Sequence, residues 1–335
     1  MSKIVRIGAL AVLLIAAAAG AVLFFGEGPG KDAGSVADGG RSAAPAQSDA
    51  PKRTTVPESP ADVAAKRDLL ALMLAYPGQI SGVEKDGAAV CAVMRSGRRI
   101  AYDDGREKTF EEKLADADLQ DMMEQIYPLG DIDGIREGNL DPGRIRCYAF
   151  FEEVYGKAED AVRANLTNVA LGGGNCLFNE NNGAAAQLEK AFDEVADLIE
   201  NDAAVSGFVY PLSGTFNYRV IAGTDQLSPH AFGIAIDLHS DARDYWRWAT
   251  REQGQSRLTE YPRDLVRAFE DNGFIWGGKW AHFDILHFEY RPELLMKARH
   301  CVAPDKTVSP WYAGYPDTEQ VLEAVAVIDR AWAGE

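Results

Sequence analysis

The sequence predicts an α+β fold with a mainly helical N-terminal extension. Two observations carry that expectation. Apolar residues recur at helical spacing in the earlier part of the chain, best at Leu188, Phe192, Val195 and Ile199. Short β-rich segments cluster later, at 216–221, 233–238 and 285–290. Helices first and strands later is the order of an α+β domain rather than of alternating α/β units.

Taken in order, the chain opens with Lys3 and Arg6, followed by an uncharged apolar run from Ile7 to Phe25. A positive flank before an apolar core is an export signal. The run exceeds a signal-peptide core of about 7–15 residues and approaches the roughly 20 that span a bilayer. Residues 1–25 are therefore expected to be a retained membrane anchor or, cut near Ala19-Gly20-Ala21, a cleaved signal. Either way the positive end stays inside and the remainder is exported to a periplasmic or other extracytoplasmic space. Residues 26–60 are Gly, Ala, Ser, Pro and Asp with almost no large apolar side chain, the composition of a flexible linker.

Residues 61–199 read as the mainly helical region. Ser59-Pro60 is a helix start, and Leu69, Leu70, Leu72, Met73 and Leu74 continue that helix to a stop at Pro77-Gly78. Ala89–Met94 and Arg99–Tyr102 flank Ser96-Gly97 as a hairpin. Glu111–Tyr127 reads as one acidic amphipathic helix, Asp141-Pro142-Gly143 as a turn, and Ala184–Glu200 as a long helix. Residues 200–305 carry the three β-rich segments and a helix from Pro262 to Asn272 closed by Gly273. Residues 306–335 form a tail with a last helix, Thr318–Trp332.

A net charge of −17 argues against nucleic acid, which rewards clustered Lys and Arg. The four cysteines, Cys91, Cys147, Cys176 and Cys301, are not spaced as a zinc site, and in an exported protein suggest two disulfides.

Chemistry concentrates in two stretches, Ser228–Asp237 and Trp276–Glu289. In a strand over 233–238, Asp237 shares its face with Gly233 and Ala235, which leave room for an ion and a substrate. His230 precedes that strand in a turn after Pro229. His287 and Glu289 share a face of the second strand, with Asp284 at its start. His230, Asp237 and His287 make three neutral-imidazole and carboxylate ligands of the kind zinc prefers, with Asp284 beside them as a base. His239 and His282 lie off this pattern and are expected to be wall or hydrogen-bonding residues. Ser228 is expected to cap the turn that presents His230.

The stretches His230-Ala231-Phe232-Gly233-Ile234-Ala235-Ile236-Asp237 and Asp284-Ile285-Leu286-His287-Phe288-Glu289 resemble the signatures of the M15 family of zinc D,D-peptidases. With Gly214–Arg219 and Trp276–Trp280, the resemblance covers about residues 214–292. It implies a small antiparallel sheet flanked by helices, as in the hedgehog signalling domain. It also implies that His230, Asp237 and His287 are zinc ligands and that Asp284 is the general base. Arg219 matches an upstream arginine expected to bind substrate or stabilise the oxyanion, with Ser228 and Trp280 as further substrate-binding candidates. The implied partners are peptidoglycan stem peptides; the chain itself is expected to be a monomer. The implied activity is a D-alanyl-D-alanine carboxypeptidase. An L-alanyl-D-glutamate-type endopeptidase and a non-catalytic zinc-containing wall-binding module are the alternatives.

Overall fold

A computed structural model describes residues 58–172, 174–300 and 308–334. The apolar run at 7–25 and nearly all of the proposed linker lie outside these residues. Among the described residues, no helix is long and apolar enough to cross a membrane.

The architecture is α+β, with small antiparallel sheets among helices. Helix α1 (Pro60–Ala75) starts as its sequence predicts: Ser59 Oγ accepts from Asp62 N at 3.0 Å and proline fills the first turn. Strands β1 (Ile80–Asp86), β2 (Ala89–Met94) and β3 (Arg99–Ala101) form a meander, of which the sequence predicted only the second hairpin. The expected helix at 111–127 is two short ones, α2 (Phe110–Ala115) and α3 (Leu119–Met123). Asp118 explains the break. Its carboxylate caps α3 by accepting from Asp121 N at 2.8 Å and also takes Asp104 N at 3.0 Å, bonds that a continuous helix would forbid.

After the Asp141–Arg144 turn come α4 (Tyr148–Tyr155), α5 (Glu159–Ala164), and the hairpin β4 (Leu166–Ala170) with β5 (Asn175–Asn179). Helix α6 (Ala184–Asn201) matches its apolar periodicity, and α7 (Ser206–Val209) is a single turn. Strands are thus more widespread upstream than their predicted clustering. Phe216–Ile221, read as a strand, makes only one bridge, Val220 to Leu227.

The last part contains β6 (Ala235–Asp237), α8 (Arg251–Glu260), α9 (Arg263–Asp271), β7 (Phe274–Trp276), β8 (His287–Tyr290), α10 (Pro292–Arg299) and α11 (Glu319–Ala333). Strand β8 lies between β6 and β7, antiparallel to both. Ile234, Ile236 and Leu238 are wholly buried on one side of β6, as the alternation required. Helix α9 packs against α6 and β7, and α1 against α10 and α11, so one hydrophobic cluster runs from Ala65 to Ala331.

The two-disulfide expectation is corrected. Cys91, Cys147 and Cys176 are free thiols on β2, before α4 and on β5, whereas two bridges among four cysteines would have to join at least two of these three. Cys301 lies outside the described residues.

Candidate metal centre

His230 is presented by a single 3₁₀ turn, Pro229–Phe232. Ser228 Oγ accepts from His230 N at 3.3 Å, proline sets the first φ, and Gly233 ends the turn at φ +69°. That φ favours glycine, and a Cβ there would also crowd Asn179 N at 3.3 Å. The imidazole Nδ1 lies 2.6 Å from Thr215 O. A carbonyl only accepts, so Nδ1 carries the proton and the lone pair is on Nε2. That Nε2 faces Asp237 Oδ1 at 3.3 Å.

Register brings the other ligand candidates together. Asp237 pairs with His287 and Ala235 with Glu289, so the members of each pair share one face of the sheet. On its other edge β6 is held by Asp237 N donating to Gly214 O at 2.8 Å and Ser213 N to Asp237 O at 2.9 Å. His287 Nδ1 lies 2.9 Å from Asp237 Oδ1, and its Nε2 lies 3.6 Å from Glu289 Oε2. Glu289 is wholly buried and takes a two-pronged contact from Arg146, at 2.9 and 2.6 Å, with Arg291 Nη1 at 3.3 Å.

The donor atoms of His230, Asp237 and His287 all lie within 4.8 Å of one another, a group that can hold a metal ion. The geometry fits zinc. Ligand atoms about 2.0–2.2 Å from a tetrahedral ion stand roughly 3.3–3.6 Å apart, close to the 3.3 and 2.9 Å seen here. Charge fits as well. Burial alone would raise the Asp237 carboxyl, but the two imidazoles outweigh it and hold it far below the usual range. Burial disfavours a charged His287, yet the hydrogen bond to Asp237 and the nearby Glu289 carboxylate push it up to about 10. Burial would likewise raise Glu289, and Arg146 overrides it downward. The centre thus stabilises positive charge at the point where an ion would sit.

Asp284 stands outside this group, in the loop before β8. Its N donates to Gly277 O at 3.0 Å, and its carbonyl accepts from His287 N at 3.1 Å. Gly277 must be glycine, since a Cβ would come within 2.4 Å of Asp284 O. Burial pushes the Asp284 carboxyl up to about 7; the Asp237 charge adds to this, while His287, His230 and Arg144 pull the other way. A carboxylate tuned near neutrality suits a general base.

The remaining candidates are placed differently. Ser228 is buried, and its hydroxyl caps the His230 turn. Trp280 is buried behind His287, with ring centroids 5.7 Å apart, and its Nε1 donates to Pro142 O at 2.7 Å. Arg219 is exposed, and among the described residues its guanidinium donates only to Val220 O, at 3.5 Å. His282 bonds Asp141, not the centre. Sequence reasoning gave Arg144 no role and missed Arg146, which reaches the centre through Glu289 from the turn after Asp141. That turn was visible, but its pairing with β8 left no local pattern.

Residues 222–290 match the M15 peptidase family model described as D-alanyl-D-alanine carboxypeptidase. The matched span contains His230, Asp237, Asp284 and His287 and leaves out Arg219. It supports kinship with M15 peptidases and an enzyme of metallopeptidase type. No curated protein and no solved structure matches the chain.

Proposed function

We propose that this protein is a zinc-dependent peptidase of peptidoglycan stem peptides, with D-alanyl-D-alanine carboxypeptidase as the favoured activity. The observation that carries the reading is the convergence of His230, Asp237 and His287 with a near-neutral carboxyl, Asp284, beside but outside the group. His230 Nε2, Asp237 Oδ1 and His287 Nδ1 would hold the ion. Zinc supplies Lewis-acid polarisation of a carbonyl and acidification of water. Asp284 takes the proton of the attacking water and returns it to the leaving amine. Glu289, clamped by Arg146, keeps His287 turned so that Nδ1 faces Asp237. Export on the apolar run at 7–25 would bring the site to the cell wall and, if the run is retained, tether it to the membrane.

The test is zinc analysis together with mass spectrometry of products from defined muropeptides. Release of terminal D-alanine is expected. Zinc-loaded protein that cleaves no muropeptide overturns the reading and favours a wall-binding module.

A further inference from the structure

A carboxypeptidase needs a cation that recognises the free end of its substrate. Arg219, which the resemblance assigns to substrate or oxyanion, is exposed and turned to the carbonyl of the next residue, Val220. Most positive side chains packed around the centre are committed elsewhere. Arg146 is used on Glu289, Arg291 on Glu289, Glu293 and Gly143 O, and Lys279 on Glu270 and Pro128 O.

Arg144 differs. Its Nη1 lies 3.2 Å from Asp141 Oδ2, and among the described residues no acceptor takes its other N–H groups. The side chain is 22 % exposed, so those donors meet solvent rather than packing. Its turn is tied to the centre through Trp280, whose Nε1 donates to Pro142 O and whose ring lies 5.7 Å from that of His287, and through Arg146, which donates to Arg144 O and clamps Glu289.

The turn that carries Arg144 is held from four sides. Asp141 accepts from His282 N at 2.9 Å and bonds its ring Nδ1 at 2.6 Å. Pro142 O accepts from Trp280, Gly143 O from Arg291, and Arg144 O from Arg146. Gly143 sits at φ +103° where a Cβ would strike Ile275 Cδ1, so the chain can pass only without a side chain. A guanidinium fixed in this way, with donors left over, is pre-organised for a planar two-oxygen anion.

We infer that Arg144 is the residue that binds the C-terminal carboxylate of the substrate, and that the enzyme is selective for peptides with a free carboxyl end. This rests on the peptidase reading of the same centre. The mechanism adds no bond-making step: the guanidinium forks onto the carboxylate, while Asp284 and the ligand group face the preceding peptide bond.

The experiment compares a stem peptide ending in D-alanyl-D-alanine with its C-terminal amide, using zinc-loaded wild type, Arg144→Ala and Arg144→Lys. Zinc content and thermal melting confirm that each variant is loaded and folded. Wild type should prefer the free acid. In Arg144→Ala the KM for the free acid should rise about 10–100-fold, the loss of a charge-assisted bond, and the amide should lose much less, so that the ratio of free-acid to amide cleavage falls. Arg144→Lys keeps the charge beside Asp141 but not the fork, and should retain part of the preference. Calorimetry on metal-stripped protein, where no turnover occurs, should show the same preference in Kd and its loss in Arg144→Ala. Equal loss on both substrates, carried by kcat, would assign Arg144 to the oxyanion and overturn the inference. Undiminished preference in Arg144→Ala overturns the inference while leaving the peptidase reading intact. A wild type that cleaves neither peptide overturns both.

Discussion

His230, Asp237 and His287 form one group of side chains whose donor atoms lie within 4.8 Å of one another, and Asp103, Asp104 and Asp118 form another. What separates them is the charge already in place. In the second group the Lys108 ammonium lies 2.8 Å from Asp104, 3.0 Å from Asp118 and 2.6 Å from Asp121, and Arg106 reaches Asp104 as well. In the first, among the described residues, no lysine or arginine pairs with Asp237; its partners are two imidazoles that can give up a proton. A cluster of acids therefore does not make a metal site. A mixed donor set, half-enclosed, with its positive charge exchangeable, does.

The strongest way to break this contrast is to remove a ligand. His287→Ala should abolish stoichiometric zinc binding and all hydrolysis, read by metal analysis and by product release. Zinc retained in that variant would mean that the ion sits elsewhere, with the acidic group the next candidate. Asp284→Asn should behave oppositely with respect to metal: zinc retained, kcat lower by about 10²–10⁴. That pair of outcomes separates a residue that holds the ion from one that moves a proton.

A finer test uses pH. Acid protonates His287, and the proton competes with the metal, so zinc affinity must fall as pH falls. With His287 pushed up to about 10 in the metal-free protein, apparent affinity should drop roughly tenfold per unit of acidification through the neutral range. An all-carboxylate site would feel proton competition only near about pH 4. For folding of the metal-free protein the sign differs. A histidine raised from 6.5 to about 10 contributes stability that is complete below pH 6.5 and is lost as pH rises through 10. Glu289→Gln, which weakens the hold on His287 Nε2, should lower zinc affinity about 10–100-fold while leaving the stoichiometry unchanged.

The first group was legible in the sequence because each half of it is local. The His230–Asp237 spacing fits a turn into a strand, and Asp284–His287 fits a loop into another. Strand alternation then put Asp237 with small neighbours and His287 with Glu289. Helices α1, α6, α9 and α11 were legible for the same reason, each having a cap or an apolar period within its own length. The clamp on Glu289 was not, since Arg146 is 143 positions away and its pairing exists only after the fold is made. The break at Asp116–Asp118 failed for a different reason. Apolar spacing across 111–127 favours one helix, and the tertiary bond from Asp118 to Asp104 N decides against it. Arg219 was assigned to the site by resemblance, and no bond in the structure ties its side chain to the centre.

The smallest predicted effect tests the second group. Lys108 is nearly buried, with 3 % of its side chain exposed; burial opposes its charge, and the carboxylates of Asp104, Asp121 and Asp118 more than offset that and raise its pKa. Lys108→Met leaves those carboxylates facing one another, and should destabilise the fold by about 1–2 kcal/mol without changing zinc content or kcat. The vacated point is ringed by oxygen atoms, the ligands that calcium takes. Millimolar calcium should therefore raise the melting temperature of Lys108→Met and leave the wild type unmoved. An equal calcium response in both proteins would show that the lysine does not fill the cluster, and the distinction between the two groups would then rest on donor chemistry alone.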